Sequence, residues 1–379
     1  MPQVALALGD KLVITAPHLE DLLQALQQRG FTLIGPTLHQ GDLVYDELAS
    51  VADLPRGWTD EQEAGVFRLK PREDQVFFGF AMGQHSWKAF LLPPRTKLWQ
   101  AERQGHGFEI VPNQAETPKF AFIGVRPCDL HAIAVQDRVL LEGLYVDPFY
   151  QARRRSAFIV AVNCTRAGGT CFCASMGTGP QATSGFDLAL TEILHGPEHY
   201  FLVEVGSNQG AEVLQEVPHK PATAAVQLQA ENMVQETAAH MGRRLDTVGI
   251  KELLYRHYDH PRWEEVASRC LTCGNCTLVC PTCFCHAIED VTDLSGQQAE
   301  RWRRWDVCFN VDHSYIHGGS IRPSAKARYR QWLTHKLATW IDQFGCLGCV
   351  GCGRCITWCP VGIDITAEVR AIRESEKKE

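Results

Sequence analysis

The sequence has no long hydrophobic run and no excess of positive charge. No apolar stretch among its 379 residues approaches the roughly 20 residues that span a bilayer, so no membrane span is predicted. The formal net charge is −7, and because nucleic-acid binding needs a basic surface, nucleic acid is excluded as the main partner. The N-terminal segment has no leading positive charge and no cleavage pattern, so we expect no signal peptide and a cytoplasmic protein.

Familiar catalytic motifs are also missing. There is no Walker A sequence and no Gly-x-Gly-x-x-Gly after a strand, so no nucleotide-binding site is predicted. No pairing of a nucleophile with a base can be read from the sequence either. We therefore expect no catalytic residues.

Cysteine, by contrast, is abundant, with 16 residues. Disulfides are typical of exported domains, but nothing here predicts export, and Cys-x2-Cys spacing suits metal better. Half of the cysteines form two arrays of one design, Cys270 to Cys280 and Cys349 to Cys359. Each array reads Cys-x2-Cys-x2-Cys-x3-Cys-Pro, the spacing with which bacterial-type ferredoxins hold 4Fe–4S clusters.

In two-cluster ferredoxins, the fourth cysteine of each array binds the cluster of the other array. This pattern predicts two 4Fe–4S clusters with crossed ligand sets. The ligands of cluster one are Cys270, Cys273, Cys276 and Cys359. The ligands of cluster two are Cys349, Cys352, Cys355 and Cys280. Structural zinc is the alternative, but zinc ribbons use two separated Cys-x2-Cys pairs rather than three cysteines in series.

The predicted architecture is an α+β multidomain protein. Residues 1–245 are expected to form an α/β domain with a mostly parallel sheet, because buried strands at 120–125 and 157–162 flank a helix that ends at Leu141. Asp129 is the predicted N-cap of that helix. Residues 246–379 are expected to form a mainly helical dicluster domain of the ferredoxin type. It carries an insertion at about 286–345, rich in Trp and Arg, which predicts a solvated face or a docking surface for an acidic partner.

Four further cysteines lie in the N-terminal half: Cys128, Cys164, Cys171 and Cys173. Two of them follow the predicted strands, and cofactors in open α/β sheets bind at the carboxyl ends of strands. A third iron–sulfur cluster is one hypothesis. Buried, unreactive thiols that pack as small apolar groups are the other, because Cys-x-Cys is an unusual cluster spacing.

The remaining cysteines and a histidine pair are harder to assign. Cys283 and Cys285 are expected to pack beside cluster two, with ligation as the alternative. Cys346 is interpreted as a spare thiol, or as one that exchanges with Cys349 as a ligand. Cys308 has no partner spacing. His313 and His317 have the spacing of a helical metal pair, but the glycines that follow favour a helix end.

Several segments resemble the iron–sulfur β subunit of cytosolic nickel–iron hydrogenases (sulfhydrogenases), a family that includes the A subunit of anaerobic sulfite reductase. They are the two arrays within 270–285 and 348–364, Ser-Trp-Lys-Ala-Phe-Leu at 86–91, Gly-Val-Arg-Pro-Cys-Asp-Leu at 124–130, Tyr-Val-Asp-Pro-Phe-Tyr at 145–150 and Cys-Phe-Cys-Ala-Ser-Met-Gly-Thr-Gly-Pro at 171–180. Cys346 departs from the family pattern.

The resemblance implies a non-catalytic electron relay within an oxidoreductase complex. Similar subunits lie between a flavin subunit that handles NAD(P)H and a catalytic module, here the small and large subunits of a nickel–iron hydrogenase. The alternatives are a relay subunit of anaerobic sulfite reductase, or a redox enzyme with a further cofactor in the N-terminal domain.

Overall fold

The computed structural model describes residues 5–81, 83–113 and 117–376. Its strands are β1 Lys11–Thr15, β2 Thr32–His39, β3 Asp42–Glu47, β4 Trp58–Glu63, β5 Val66–Pro71, β6 Arg95–Gln104, β7 Gly107–Pro112, β8 Phe120–Val125, β9 Phe158–Val162, β10 Leu188–His195, β11 Glu198–Val205, β12 Lys220–Pro221, β13 His286–Thr292, β14 Gln298–Trp305, β15 Tyr315–Ile316 and β16 Gly319–Ser320. No helix in these ranges is long and apolar enough to cross a membrane.

The α-helices are α1 His18–Gln28, α2 Lys88–Leu91, α3 Pro127–Leu141, α4 Pro148–Ser156, α5 Cys173–Met176, α6 Asn208–Leu214, α7 Ala224–Ala239, α8 Ile250–Arg256, α9 Arg262–Ala267, α10 Asn275–Leu278, α11 Ala325–Thr334, α12 Trp340–Phe344, α13 Arg354–Thr357 and α14 Ile365–Ser375. A π-helical stretch, His335–Thr339, joins α11 to α12, so the helical run predicted before the second array is present.

An eight-stranded sheet in the order β12-β1-β11-β10-β9-β8-β2-β3 organises the N-terminal half. It is a mixed sheet, because only three of its seven pairings are parallel, those that join β2, β8, β9 and β10. The expectation of a mostly parallel sheet was therefore wrong outside the centre. The short loops between β2 and β3 and between β10 and β11 allow only antiparallel hairpins, whereas parallel neighbours need a long crossover.

The centre of this sheet is covered on both faces. All five residues of β9 are buried, as expected for a strand between two layers, and Phe122 of β8 is fully buried as well. Helix α1 packs the leucines of one face into the same core. The residues that follow β8 and β9 are consequently held in fixed positions.

Helix α3 begins one turn earlier than predicted. Its N-cap is Arg126, its first residue is Pro127, and Asp129 lies within the first turn, so the assignment of Asp129 as N-cap was wrong. The Asp129 carboxylate instead accepts two hydrogen bonds from the buried Arg354 guanidinium, at 2.8 and 2.9 Å. This ion pair joins α3 to α13 in the second cysteine array.

A second sheet crosses the predicted domain boundary. Its order is β13-β14-β6-β7, so the hairpin 286–305 of the insertion pairs with residues 95–112 of the N-terminal half. The Trp/Arg-rich strand β14 makes intramolecular contacts: Arg303 forms an ion pair with Asp147, and Lys88 Nζ lies 4.1 Å from the ring centroid of Trp305. Part of the proposed docking surface is thus used inside the chain. The domain division at 245/246 stays a prediction.

The helices after residue 249 pack around a separate apolar core. Trp263, Leu333 and Ile372 are fully buried in it, and side chains of the cysteine arrays pack against its edge. The arrays therefore lie between this helical core and the eight-stranded sheet.

Candidate iron–sulfur sites

The four thiols assigned to cluster one line a single cavity. They are Cys270, Cys273, Cys276 and Cys359, three from the first array and one from the second. The aromatic side chains of Phe309, Tyr329 and Trp332 form part of the cavity wall. The fold thus brings these four thiols to one cavity, which Cys355, assigned to cluster two, also lines.

Both arrays have the same local conformation, which explains how their thiols converge. Gly274 and Gly353 have φ angles of 76°, and each is followed by one short helix, α10 or α13. A positive φ strongly favours glycine, and it turns the chain so that neighbouring cysteines face the same side. Helices α10 and α13 pack against each other, so the arrays form one unit.

The thiols assigned to cluster two form a second, partly buried group. Burial raises the pKa of Cys355, and the nearby thiols of Cys349, Cys352 and Cys280 raise it further. Burial likewise raises the pKa of Cys349 to about 12. In the absence of metal the Cys349 and Cys355 thiols would therefore be protonated, and metal binding would release their protons.

A buried lysine lies beside this second group. Lys336 is 3% exposed, and its Nζ lies 3.2 Å from Cys280 Sγ while donating to Thr282 Oγ1 at 2.6 Å and to the Gly348 carbonyl at 3.2 Å. A hydrogen bond with Cys283, followed by the charge of Lys336, lowers the pKa of Cys280 well below its usual range. The expectation of a solvated face or docking surface for the basic insertion was wrong at Lys336, because contacts with Cys280, Thr282 and Gly348 bury this side chain.

The eight thiols differ in exposure. Cys273 is exposed, whereas the other seven are partly buried. Leu271, two residues away, is 62% exposed. The first cavity thus reaches closest to the surface at the start of the first array.

The spacing of the donors speaks against a mononuclear metal site. Within residues 5–81, 83–113 and 117–376, no three His, Cys, Asp or Glu side chains converge closely enough to hold one metal ion. Structural zinc needs four such donors around one point. In a cubane each iron takes one thiolate, so the thiols surround a cavity instead.

The four cysteines of the N-terminal half also line one cavity, together with Cys352 of the second array: Cys128, Cys164, Cys171 and Cys173. We call it the N-terminal thiol cavity. Cys128 and Cys164 follow the neighbouring parallel strands β8 and β9, so the expectation that they lie at carboxyl ends of strands is confirmed.

The remaining cysteines, which are assigned to no cluster, lie around these sites. Cys283 is buried, and the interaction with Cys280 is the main reason that its pKa is raised well above the usual range. Cys285 is close to Cys308 and to His313, and a hydrogen bond with Cys285 is the main reason that the pKa of His313 rises to about 9. Cys346 lines neither cavity.

The histidine pair is not on a helix. His313 lies in the short 3-10 turn Asp312–Ser314, and its Nδ1 is 2.6 Å from the carboxylate of Asp306, while His317 comes after β15. The predicted helix end at these glycines was wrong, because Gly318 lies in the turn of the hairpin formed by β15 and β16. The two side chains therefore lack the helical spacing of a metal pair.

Comparisons with known proteins agree with the motifs. Residues 269–363 match the 4Fe-4S dicluster domain family, which covers both arrays. The chain is 33% identical over 290 residues to the Sulfhydrogenase 2 subunit beta of Pyrococcus furiosus, and the match covers 76% of this chain and 82% of that protein. No solved structure matches the chain. The likeness therefore extends well beyond the arrays.

Proposed function

The chain belongs to the family of sulfhydrogenase β subunits, and from this premise we propose that it relays single electrons between a flavin subunit that handles NAD(P)H and a nickel–iron hydrogenase module. The observation that carries the proposal is the grouping of thiols around the first cavity, where Cys359 of the second array joins the thiols of the first. An electron-transfer subunit needs cofactors held at fixed, short separations, and crossed ligation provides this.

We propose two 4Fe–4S clusters with the crossed ligands given above. When bound, each cluster would accept and release one electron at a time. The protein's own residues hold the clusters and limit the access of water, with Trp332 and Phe309 beside cluster one. Cys355, assigned to cluster two, also reaches the wall of the first cavity, which supports adjacent clusters.

The exposed Cys273 supports an exchange point with a partner at cluster one. A flavin subunit would collect two electrons from a hydride donor and deliver them singly to the relay. The partners proposed are this flavin subunit and the small and large subunits of a nickel–iron hydrogenase, in the cytoplasm. The name of the Pyrococcus furiosus relative, a sulfhydrogenase subunit, supports this choice over sulfite reductase.

Anaerobic purification of the tagged chain from its own cells tests the proposal. We expect nickel- and flavin-containing subunits to co-purify, and the clusters of the chain to be reduced under hydrogen, as seen by EPR. A Cys276→Ala variant should lose this reduction, whereas Cys346→Ala, at a thiol that lines neither cavity, should keep it. Co-purification of a siroheme protein, or flavin bound by the isolated chain, would contradict the hydrogenase assignment.

A further inference from the structure

The N-terminal thiol cavity lies where the central strands of the sheet end. Cys128 follows β8 by three residues and Cys164 follows β9 by two, while the loop after β9 supplies Cys171 and Cys173. The start of α3 and the segment between β9 and β10 thus deliver thiols to one place. Cysteines that serve only as small apolar groups have no reason to gather around one cavity.

A buried positive charge at this cavity has no carboxylate partner. Arg126 is 5% exposed, lines the cavity, and forms no ion pair within the part of the chain that the structure describes. One of its NH2 groups donates to the carbonyls of Phe78 and Phe80, the other lies 4.0 Å from Cys164 Sγ, and its Nε has no hydrogen-bond partner. Burying an unpaired guanidinium is costly, so the site favours an anionic occupant.

The other two arginines at the cavity are already paired. Arg166 forms an ion pair with Asp60 at 2.8 Å, and Arg354 forms the bidentate pair with Asp129. The net surplus at the cavity is therefore the charge of Arg126. Four thiolates around ferric and ferrous iron give a cluster with net negative charge, which would offset it.

The surrounding loop approaches the thiols closely. A Cβ added to Gly179 would lie 3.0 Å from Cys173 Sγ, so a larger residue at this position would press on the thiol. Burial raises the pKa of Cys171 to about 12, as it does for Cys349 of the second array. The N-terminal thiols therefore share the environment of the proposed ligands.

The cavity is in direct contact with the second array. Cys171 Sγ lies 3.8 Å from the carbonyl oxygen of Cys352, which itself lines the cavity, and the Phe172 amide donates to the Gly351 carbonyl at 2.8 Å. A redox group here would be a neighbour of cluster two. From this geometry we propose that the N-terminal thiol cavity binds a third iron–sulfur cluster, which exchanges single electrons with cluster two. The role in electron exchange rests on the proposed function.

Iron counting in the anaerobically purified chain, separated from its partner subunits, tests this site. With three 4Fe–4S clusters we expect about 12 irons in this chain, and about eight in a Cys128→Ser/Cys164→Ser double variant. Cys346→Ser, a thiol outside the cavity, should leave the count unchanged. A wild-type chain with about eight irons, or equal counts in wild type and double variant, would overturn the third cluster but leave the two-cluster relay intact.

A second variant keeps all four thiols and so avoids a folding failure. Arg126→Gln removes the unpaired charge, and because a nearby cation stabilises the reduced, more negative cluster, the reduction potential of one EPR signal should fall. The signals of the other two clusters provide the internal reference. No shift in any signal, or zinc in place of the additional iron, would overturn the assignment. Absence of iron from the wild-type chain would instead contradict the proposed function.

Discussion

At the scale of single residues, the charge at Lys336 distinguishes the two dicluster sites. Its ammonium group lies 3.2 Å from Cys280 Sγ and is shielded from solvent, whereas no lysine lines the cavity of cluster one. A cation at this distance stabilises the reduced cluster more than the oxidised one, because reduction adds negative charge. The fold therefore supplies a physical reason for cluster two to have the higher reduction potential.

Replacing Lys336 tests this effect. Lys336→Met should lower the potential of cluster two by on the order of 100 mV, with cluster one almost unchanged. EPR-monitored redox titration measures both. Lys326→Met, at a partly exposed lysine that pairs with Glu264, is the matched control and should shift neither potential. Equal shifts in the two variants would contradict a local effect of Lys336.

The buried Asp129–Arg354 ion pair is the basis of a second prediction at the scale of single residues. Both side chains are at most 3% exposed, so Asp129→Asn leaves a buried guanidinium without its counter-ion. We expect a loss of about 3–5 kcal/mol in the free energy of unfolding, measured by denaturant titration of the loaded protein. Asp290→Asn breaks an ion pair of similar geometry at the surface and should have little effect. Similar losses in the two variants would show that the burial of the pair is unimportant.

At the scale of elements, the contact between the second array and the loop 170–178 joins the two halves. A Cβ added to Gly351 would lie 2.7 Å from the backbone of Cys173, and Thr178 Oγ1 donates to the Val350 carbonyl at 2.6 Å. The second array can therefore lie this close to the loop only because residue 351 is glycine. The placement of cluster two depends on this approach.

Substitution of Gly351 distinguishes the effect of the close contact from the effect of backbone strain. Gly351→Ala and Gly249→Ala both place alanine at a positive φ, 67° and 60°, at a cost of roughly 1–2 kcal/mol each. Only at Gly351 would the new methyl group meet backbone atoms, because the space around Gly249 is open. We expect Gly351→Ala to lose the EPR signal of cluster two and Gly249→Ala to keep it. Retention of the signal in both variants would contradict the role of the contact.

Elements with a strong local signal could be predicted from sequence. The apolar runs of β8 and β9, the helix between them and the helical run before the second array follow from periodicity and composition. The antiparallel flanks of the sheet and the pairing of β14 with β6 could not be predicted, since strand partners across about 200 residues leave no local pattern. From the spacing of the arrays the thiols could be assigned to two groups. The roles of Lys336 and Arg126, by contrast, arise only from tertiary contacts.

At the scale of the whole molecule, the cysteine arrays lie between two cores. The eight-stranded sheet has its own apolar interior, and the helices after residue 249 have another. The arrays between them contribute few apolar residues, so metal ligation would supply much of their stability. Loss of metal would also affect the second sheet, because its strand β14 belongs to the half that holds the arrays and its strand β6 belongs to the other half.

Removal of iron should therefore loosen the molecule locally. After anaerobic chelation, limited proteolysis should cut first near 268–285 and 345–360, while the strands of the large sheet remain protected for longer. The untreated protein, digested in parallel, is the control. Identical cleavage of the two samples would show that the arrays fold without metal.

The central claim is that the two arrays hold iron–sulfur clusters. Its most direct test is the quantification of iron, acid-labile sulfide and zinc in the anaerobically purified chain. The account predicts at least about eight irons and eight sulfides per chain, with zinc well below one equivalent. Stoichiometric zinc, with iron and sulfide far below that number, would contradict it.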